Sequence, residues 1–304
     1  MNWTRHLRIR HLITLTALHE ARNLSHTAKQ MGITQPALSK WLREMEQDLG
    51  VLLFERHHRG LVPTAYCDLL VARAHLVLNE LSRTASLLDA VASGTSGSLH
   101  IGCTPVAMTD LLPAALTELQ QRHPTACVKI SDGTLDTLLP QLESGKLDLI
   151  VSRIEDRRYG GDLAHEILYE ESTVVIAGVN HPLAGKKDVT WPDALAYPWV
   201  GPPSNSPLRA ELEQALALAQ QPFPQVFVET SSTVLNASLL QRTTMLGIIS
   251  GRPARYLQAA GRITVLDLSI SRSSRVGVMW RRESPHNRLL QALLEALRQA
   301  AQAR

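Results

Sequence analysis

Residues 24–43 read LSHTAKQMGITQPALSKWLR, and this stretch decides the fold of the N-terminal region. Apolar residues recur at helical spacing, first Leu24, Ala28 and Met31, then Leu38, Trp41 and Leu42. Gly32 falls between the two sets, where a sharp turn asks for a residue that takes positive φ without strain. Ser25 is placed to cap the first helix and Thr34 the second, with Pro36 in its first turn. Ala28 is small where two helices would cross, and Met31, Ile33, Leu38 and Trp41 would fill the seam. This is the residue set of a helix-turn-helix, with a supporting helix upstream through Ile9, Leu12, Ile13 and Thr16. A solvated helical hairpin has the same pattern. The continuation LGVLLFERHHRGLVPT (49–64) favours the former. Two apolar runs, Val51 to Phe54 and Leu61–Val62, flank the basic tip Arg56-His57-His58-Arg59-Gly60, which reads as a β-hairpin wing.

Charge supports the same reading. Residues 1–66 hold nine Lys/Arg, five Asp/Glu and six of the twelve histidines, so a head of +4 sits on a chain whose total is +3. A small basic head on a near-neutral body points to a polyanion, although a merely solvated basic surface has the same count. If the second helix is the reader, Thr34, Gln35, Pro36, Ser39, Lys40 and Arg43 face bases and phosphates. Arg56 and Arg59 of the wing, with Ser25 and Thr64, complete the expected DNA-binding set.

The combination Thr34-Gln35-Pro36-Ala37-Leu38-Ser39, then Leu49-Gly50, Leu53-Phe54, Arg56, Arg59-Gly60 and Pro63-Thr64, resembles the N-terminal domain of LysR-type transcriptional regulators. The resemblance spans 9–64 strongly and the remainder through the order of strands and helices. Cys67 departs from it, since many members carry glycine there. It implies a bacterial, cytoplasmic regulator. Its implied partners are a dyad-like double-stranded DNA operator, a small-molecule effector, further copies of itself up to a tetramer, and RNA polymerase.

From Ala65 to about Ala92 the chain reads as one long helix. A four–three repeat runs Leu70, Ala74, Val77, Leu81, Thr84, Leu88, Val91, about three heptads of a seam that the resemblance turns into a homodimer contact. Residues 93–98, SGTSGS, read as a hinge. The expected divisions are therefore a winged helix-turn-helix domain (1–66), a linker helix (67–92), the hinge, and an effector domain (99–304).

That last part alternates strands and helices and is α/β. The resemblance implies a two-lobed, periplasmic-binding-protein-like body, with lobe I over 99–165 and 270–304 and lobe II over 166–269. Ligands in α/β folds bind beyond the carboxyl ends of strands. This selects Cys103, Thr104, Pro105 and Val106 after the first strand, Arg153 after another, and Ser204, Asn205, Ser206, Ser231 and Ser232 at helix starts. Helix N-termini and an arginine favour a carboxylate or other anion. Arg153 also reads as an ion pair with Glu155 or Asp156, and the serines as plain caps.

Other function classes find little support. The sequence lacks G-x-S-x-G, H-E-x-x-H, G-x-x-x-x-G-K-S/T and G-x-G-x-x-G, so no catalytic residues and no cofactor are expected. Asp132, Asp148, His165 and His181 stand without a base–nucleophile partner. The three cysteines have neither disulfide nor zinc spacing, and no metal site is expected. No apolar run is long enough to span a membrane, and residues 1–66 argue against a plain solute-binding protein.

Overall fold

The computed structural model describes residues 4, 6–57, 60–93, 97–154, 159–160, 162–268, 270, 274–282 and 287–302. It comprises two compact units, one built on residues 1–94 and the other on 95–143 and 147–304.

The first unit contains α1 (Ile9–Ala21), α2 (Leu24–Gln30), α3 (Gln35–Leu49), the antiparallel hairpin β1 (Phe54–His57) and β2 (Gly60–Pro63), and α4 (Ala65–Ser93). The helix-turn-helix and wing are present. Gly32 takes φ +66 in the turn between α2 and α3. Thr34 caps α3, its Oγ1 accepting from the Ala37 N–H at 3.4 Å, with Pro36 in the first turn. Asn23, not Ser25, caps α2. Its Oδ1 accepts from the His26 N–H at 2.9 Å, while Ser25 lies exposed inside the helix. Leu15, Leu18, Ala28, Leu38 and Leu42 meet in the core with Phe54 and Leu61. Of the expected seam, Leu38 is buried and Trp41 half-buried, but Ile33 is exposed, and Leu42 does the packing instead.

The wing begins later than its apolar run. Val51 to Leu53 are irregular and precede β1, and Glu46 Oε1 accepts from the backbone N–H groups of Leu53 (2.8 Å) and Phe54 (3.2 Å) where a strand would begin. Gly60 is required where β2 meets the α1–α2 loop. It has φ +128, a Cβ there would lie 2.9 Å from the Arg22 carbonyl oxygen, and the neighbouring Leu61 N–H donates to that oxygen at 3.0 Å. α4 starts at Ala65, and Cys67 and Val71 fill the head's core, so the expected division at 66 falls within a helix.

The second unit contains two α/β lobes. Lobe I is built from β3 (Ser98–Cys103), α5 (Pro105–Met108), α6 (Leu111–Arg122), β4 (Cys127–Asp132), α7 (Leu135–Glu143), β5 (Leu149–Ile154) and β6 (Leu163–Glu171). Lobe II follows with β7 (Thr173–Ala177), α8 (Trp191–Leu195), β8 (Trp199–Gly201), α9 (Pro207–Leu218), β9 (Val226–Glu229), α10 (Thr233–Leu240), β10 (Leu246–Ser250), α11 (Gly251–Ala259) and β11 (Thr264–Val265). The chain then returns to lobe I as β12 (Ser274–Arg281) and α12 (Arg288–Gln302).

The sheet orders are β4-β3-β5-β12-β6 and β11-β7-β10-β8-β9. In each sheet four strands run in one direction and one, β12 in the first and β7 in the second, runs antiparallel to them. Both faces of each sheet are covered, in lobe I by Leu111, Leu119, Leu293 and Leu297 on one side and Leu138 and Leu142 on the other. The chain crosses between lobes twice, as the sequence implies, but not where it was expected to. β6 pairs with β12 through Glu171–Ser274, so the first lobe runs to Glu171 and not to 165. Ile270, expected to begin the return to lobe I, is packed in the core of lobe II. Among the described residues no helix is long and apolar enough to cross a membrane.

Candidate functional site

Two surfaces bring the sequence-selected residues together. The first is the outer face of the head. Thr34, Gln35 and Pro36 are exposed at the start of α3, and Lys40 and Arg43 follow on exposed positions. Ser39 is half-buried beneath them because the wing leans on it. Arg56 Nη2, from β1, donates to Ser39 Oγ at 3.1 Å, and Arg43 Nε donates to the Ser39 carbonyl oxygen at 3.3 Å. A shallow recess is thereby lined by Ser39, Arg43 and Arg56. Two guanidinium groups and the start of a helix share one face, an arrangement suited to phosphates and base edges. Lys40 pairs with Glu44 at 3.7 Å, both exposed, which leaves its charge accessible to solvent.

Ser25 is exposed on α2 but not among these contacts, and Arg59 lies outside the described residues. Thr64 has a structural use. Its hydroxyl donates to the Leu52 carbonyl oxygen at 2.8 Å and accepts from the Cys67 N–H at 3.3 Å, tying the wing to the start of α4. Cys67 is fully buried beneath it, and burial pushes its thiol up to about 12.

The second surface is a cavity of about 220 Å³ bounded by both lobes. Thr104, Pro105 and Val106 line it from the turn into α5, Arg153 from the end of β5, Asn205 and Ser206 from the start of α9, and Ser231 and Ser232 from the start of α10. Eight of the ten residues selected by the rule of strand carboxyl ends and helix starts thus lie on its wall. Ser206 and Ser232 are caps as well as walls, accepting from the N–H groups of Arg209 (3.3 Å) and Leu235 (3.2 Å). Cys103 and Ser204 do not line the cavity. Cys103 is fully buried under the sheet, its thiol pushed up to about 11 by burial and by nearby Asp132. Ser204 is turned outward, its N–H donating to Glu229 Oε1 at 3.3 Å.

Arg153 differs from both readings of the sequence in its partner. Its guanidinium is buried and pairs with Glu211 of α9 through Nη1 and Oε1. Nη2 donates to Thr173 Oγ1 at 3.2 Å and to Ser250 Oγ at 2.8 Å. The Thr173 hydroxyl in turn donates to Glu211 Oε2. Lobe I thus supplies the cation, and lobe II the carboxylate and both hydroxyls. Glu155 and Asp156, the partners the sequence suggested, lie outside the described residues.

Sequence reasoning missed Glu211 and several lining residues, Asp132, Thr134, Asp136, Asn236 and Ser250 among them. Asp132 ends β4 and Thr134 follows it, so the rule that selected Thr104 would have found them. Glu211 had a weaker signal, an acid on the apolar stripe of α9 beside Leu208, Leu212 and Ala215. The isolated polar residues have structural partners. His181 Nδ1 accepts from the Leu183 N–H at 3.0 Å, and burial lowers its pKa. Asp148 Oδ2 accepts from the His100 N–H at 2.7 Å.

Comparisons with known proteins identify the family. Residues 9–68 match the model of the bacterial regulatory helix-turn-helix protein, lysR family, and residues 92–302 match that of the LysR substrate binding domain. The chain is 28% identical over 297 residues to the HTH-type transcriptional regulator GbpR of Azospirillum brasilense, covering 97% of this chain and 87% of that protein. It is 30% identical over 291 residues to the HTH-type transcriptional regulator GalR of Pseudomonas putida, covering 95% and 73%. Among solved structures, full-length CbnR complexed with its target DNA shares the fold with a TM-score of 0.65 at 20% identity, over 97% of this chain and 100% of that one. A variant of full-length OxyR from Pseudomonas aeruginosa gives 0.63 at 22%, over 96% and 95%. With both family models matched in order over nearly its whole length, the chain belongs to the LysR family of DNA-binding transcriptional regulators.

Proposed function

We propose that this regulator binds a dyad-like operator through α3 and the wing, and that a small organic molecule bound between its two lobes alters that binding. The observation that carries the proposal is the cavity. Residues from both lobes line it, so a bound molecule has differential contact with open and closed arrangements and can shift the balance between them. On the head, Thr34, Gln35, Ser39, Lys40, Arg43 and Arg56 are the contacts we assign to DNA, together with Ser25 and Arg59. The apolar stripe of α4 pairs two copies, so that two reader helices address two half-sites. A homotetramer and a contact with RNA polymerase are further family expectations. The anionic effector expected from the sequence draws on the helix N-termini at Pro207 and Thr233 and on Arg153 together. Arg153, the cation of that expectation, is engaged by Glu211.

The test is a thermal-shift screen of the full chain against organic acids, amino acids, sugars and polyols, followed by operator affinity with and without each compound that stabilises. A ligand at 100 times its dissociation constant adds about 2.7 kcal/mol. The proposal expects at least one stabilising compound to change operator affinity, and substitution of Asn205 or Ser231 to weaken both effects. Stabilising compounds that leave DNA affinity unchanged would contradict it.

A further inference from the structure

We infer that Glu211 sets the chemical class of the effector: it occupies from within the position a ligand carboxylate would take on Arg153, and the cavity receives an uncharged polyhydroxy compound. This rests on reading the interlobe cavity as the effector site.

Arg153 and Glu211 are 7% and 8% exposed, so the pair sits out of water and its charges cancel at close range. Both carboxylate oxygens of Glu211 are in use, one on Arg153 and one on Thr173, and Arg153 is further held by Ser250. A ligand carboxylate reaching Arg153 would have to displace a partner tethered to the same protein. It would leave a buried carboxylate without compensation, which is strongly unfavourable. Among the described lining residues Arg153 is the sole cation, and Asp132 contributes a carboxylate.

A cation is disfavoured for a separate reason. α7, α9 and α10 all begin at the cavity, and the positive ends of their dipoles point toward it. Net charge of either sign therefore meets an opposing field. Hydroxyl groups meet none, since each can accept from a helix N–H and donate to a carboxylate. Pro202, Ile248 and Pro253 supply apolar wall for the C–H face of such a molecule. Glu211 works here by exclusion, a repulsive element that makes specificity a difference between competitors.

The experiment measures binding of matched pairs to the full chain by thermal shift and calorimetry. Neutral pentoses, hexoses and alditols are each set against the corresponding aldonate, with wild type and Glu211→Gln in parallel. The expected result is a neutral compound that binds wild type at least tenfold more tightly than its acid. In Glu211→Gln the acid gains at least tenfold while the neutral compound changes little. A merely structural Glu211 would weaken both members of a pair together. An acid that binds wild type as tightly as its neutral twin overturns the assignment while leaving the cavity reading intact, and so does an unchanged acid affinity in a folded Glu211→Gln. If Glu211→Gln does not fold, the wild-type comparison alone decides. If no pair binds either protein, the effector-site reading falls and this inference falls with it.

Discussion

Arg56 lies on the wing but is aimed by α3, because its guanidinium donates to Ser39 Oγ. If this face meets DNA, Arg56 contributes a phosphate contact and not base recognition. Arg56→Ala should weaken binding to all sequences alike and reduce the slope of log affinity against log salt by about 1. Unchanged slope and affinity would remove Arg56 from the interface. Glu171 gives a test of a different kind. It is buried at the first crossover, Oε1 accepting from the Arg252 N–H at 3.1 Å while Oε2 has no hydrogen-bond partner among the described residues. Burial raises its pKa, against the lowering influence of the Arg252 N–H and of Arg153. A carboxyl whose folded pKa exceeds its unfolded one adds stability that is complete below the ordinary carboxylate range. That stability is lost as the pH rises through the raised value. Glu171→Gln should therefore raise the melting midpoint at neutral pH and have little effect near about pH 4. An equal shift at both pH values would show that charge burial is not the cause.

At the scale of elements, the join between α3 and the wing depends on Glu46, which accepts from two backbone N–H groups. Glu46→Ala leaves both donors without that partner and should cost about 1–3 kcal/mol, read as faster hydrogen exchange at Leu53 and Phe54. Unchanged exchange would mean that water replaces the carboxylate without loss. The same contact explains why the wing was only partly legible in the sequence. Val51 to Phe54 has the apolar character of a strand, but a side chain seven residues upstream takes its donors and the ladder starts at Phe54. β6 was missed for a related reason. LAHEILYEE carries charges on a strand, and one of them, Glu166, is matched by Arg298 of α12 at 2.7 Å, far away in sequence. The elements read correctly are those whose signal is local: the turn at Gly32, the cap at Thr34, the parallel strands and the helix starts around the cavity. The Arg153–Glu211 pair joins residues 58 positions apart in sequence, and no local pattern announces it.

Among the described residues α4 carries an apolar stripe that its own chain leaves exposed. Along α4, Ala74 is buried in the head, but Val77, Leu81, Leu88 and Val91 are 48%, 43%, 66% and 82% exposed. The four–three repeat continues through these residues, and a second copy of the helix would cover them. Leu81→Asp should lower the molar mass seen by light scattering, and an unaltered mass would show that the stripe is not the sole contact between copies. An assembly of paired heads should in turn select DNA of matching symmetry. The most direct measurement is selection from random-sequence DNA with the full chain, followed by affinity for the recovered site across a salt series, in wild type and Arg43→Ala. The predicted result is an inverted repeat with half-sites spaced by about one helical turn. Its affinity should fall steeply with salt and weaken in the variant. Recovery of no common sequence, with a flat salt response that Arg43→Ala does not alter, would contradict the assignment of α3 and the wing as the DNA-reading surface.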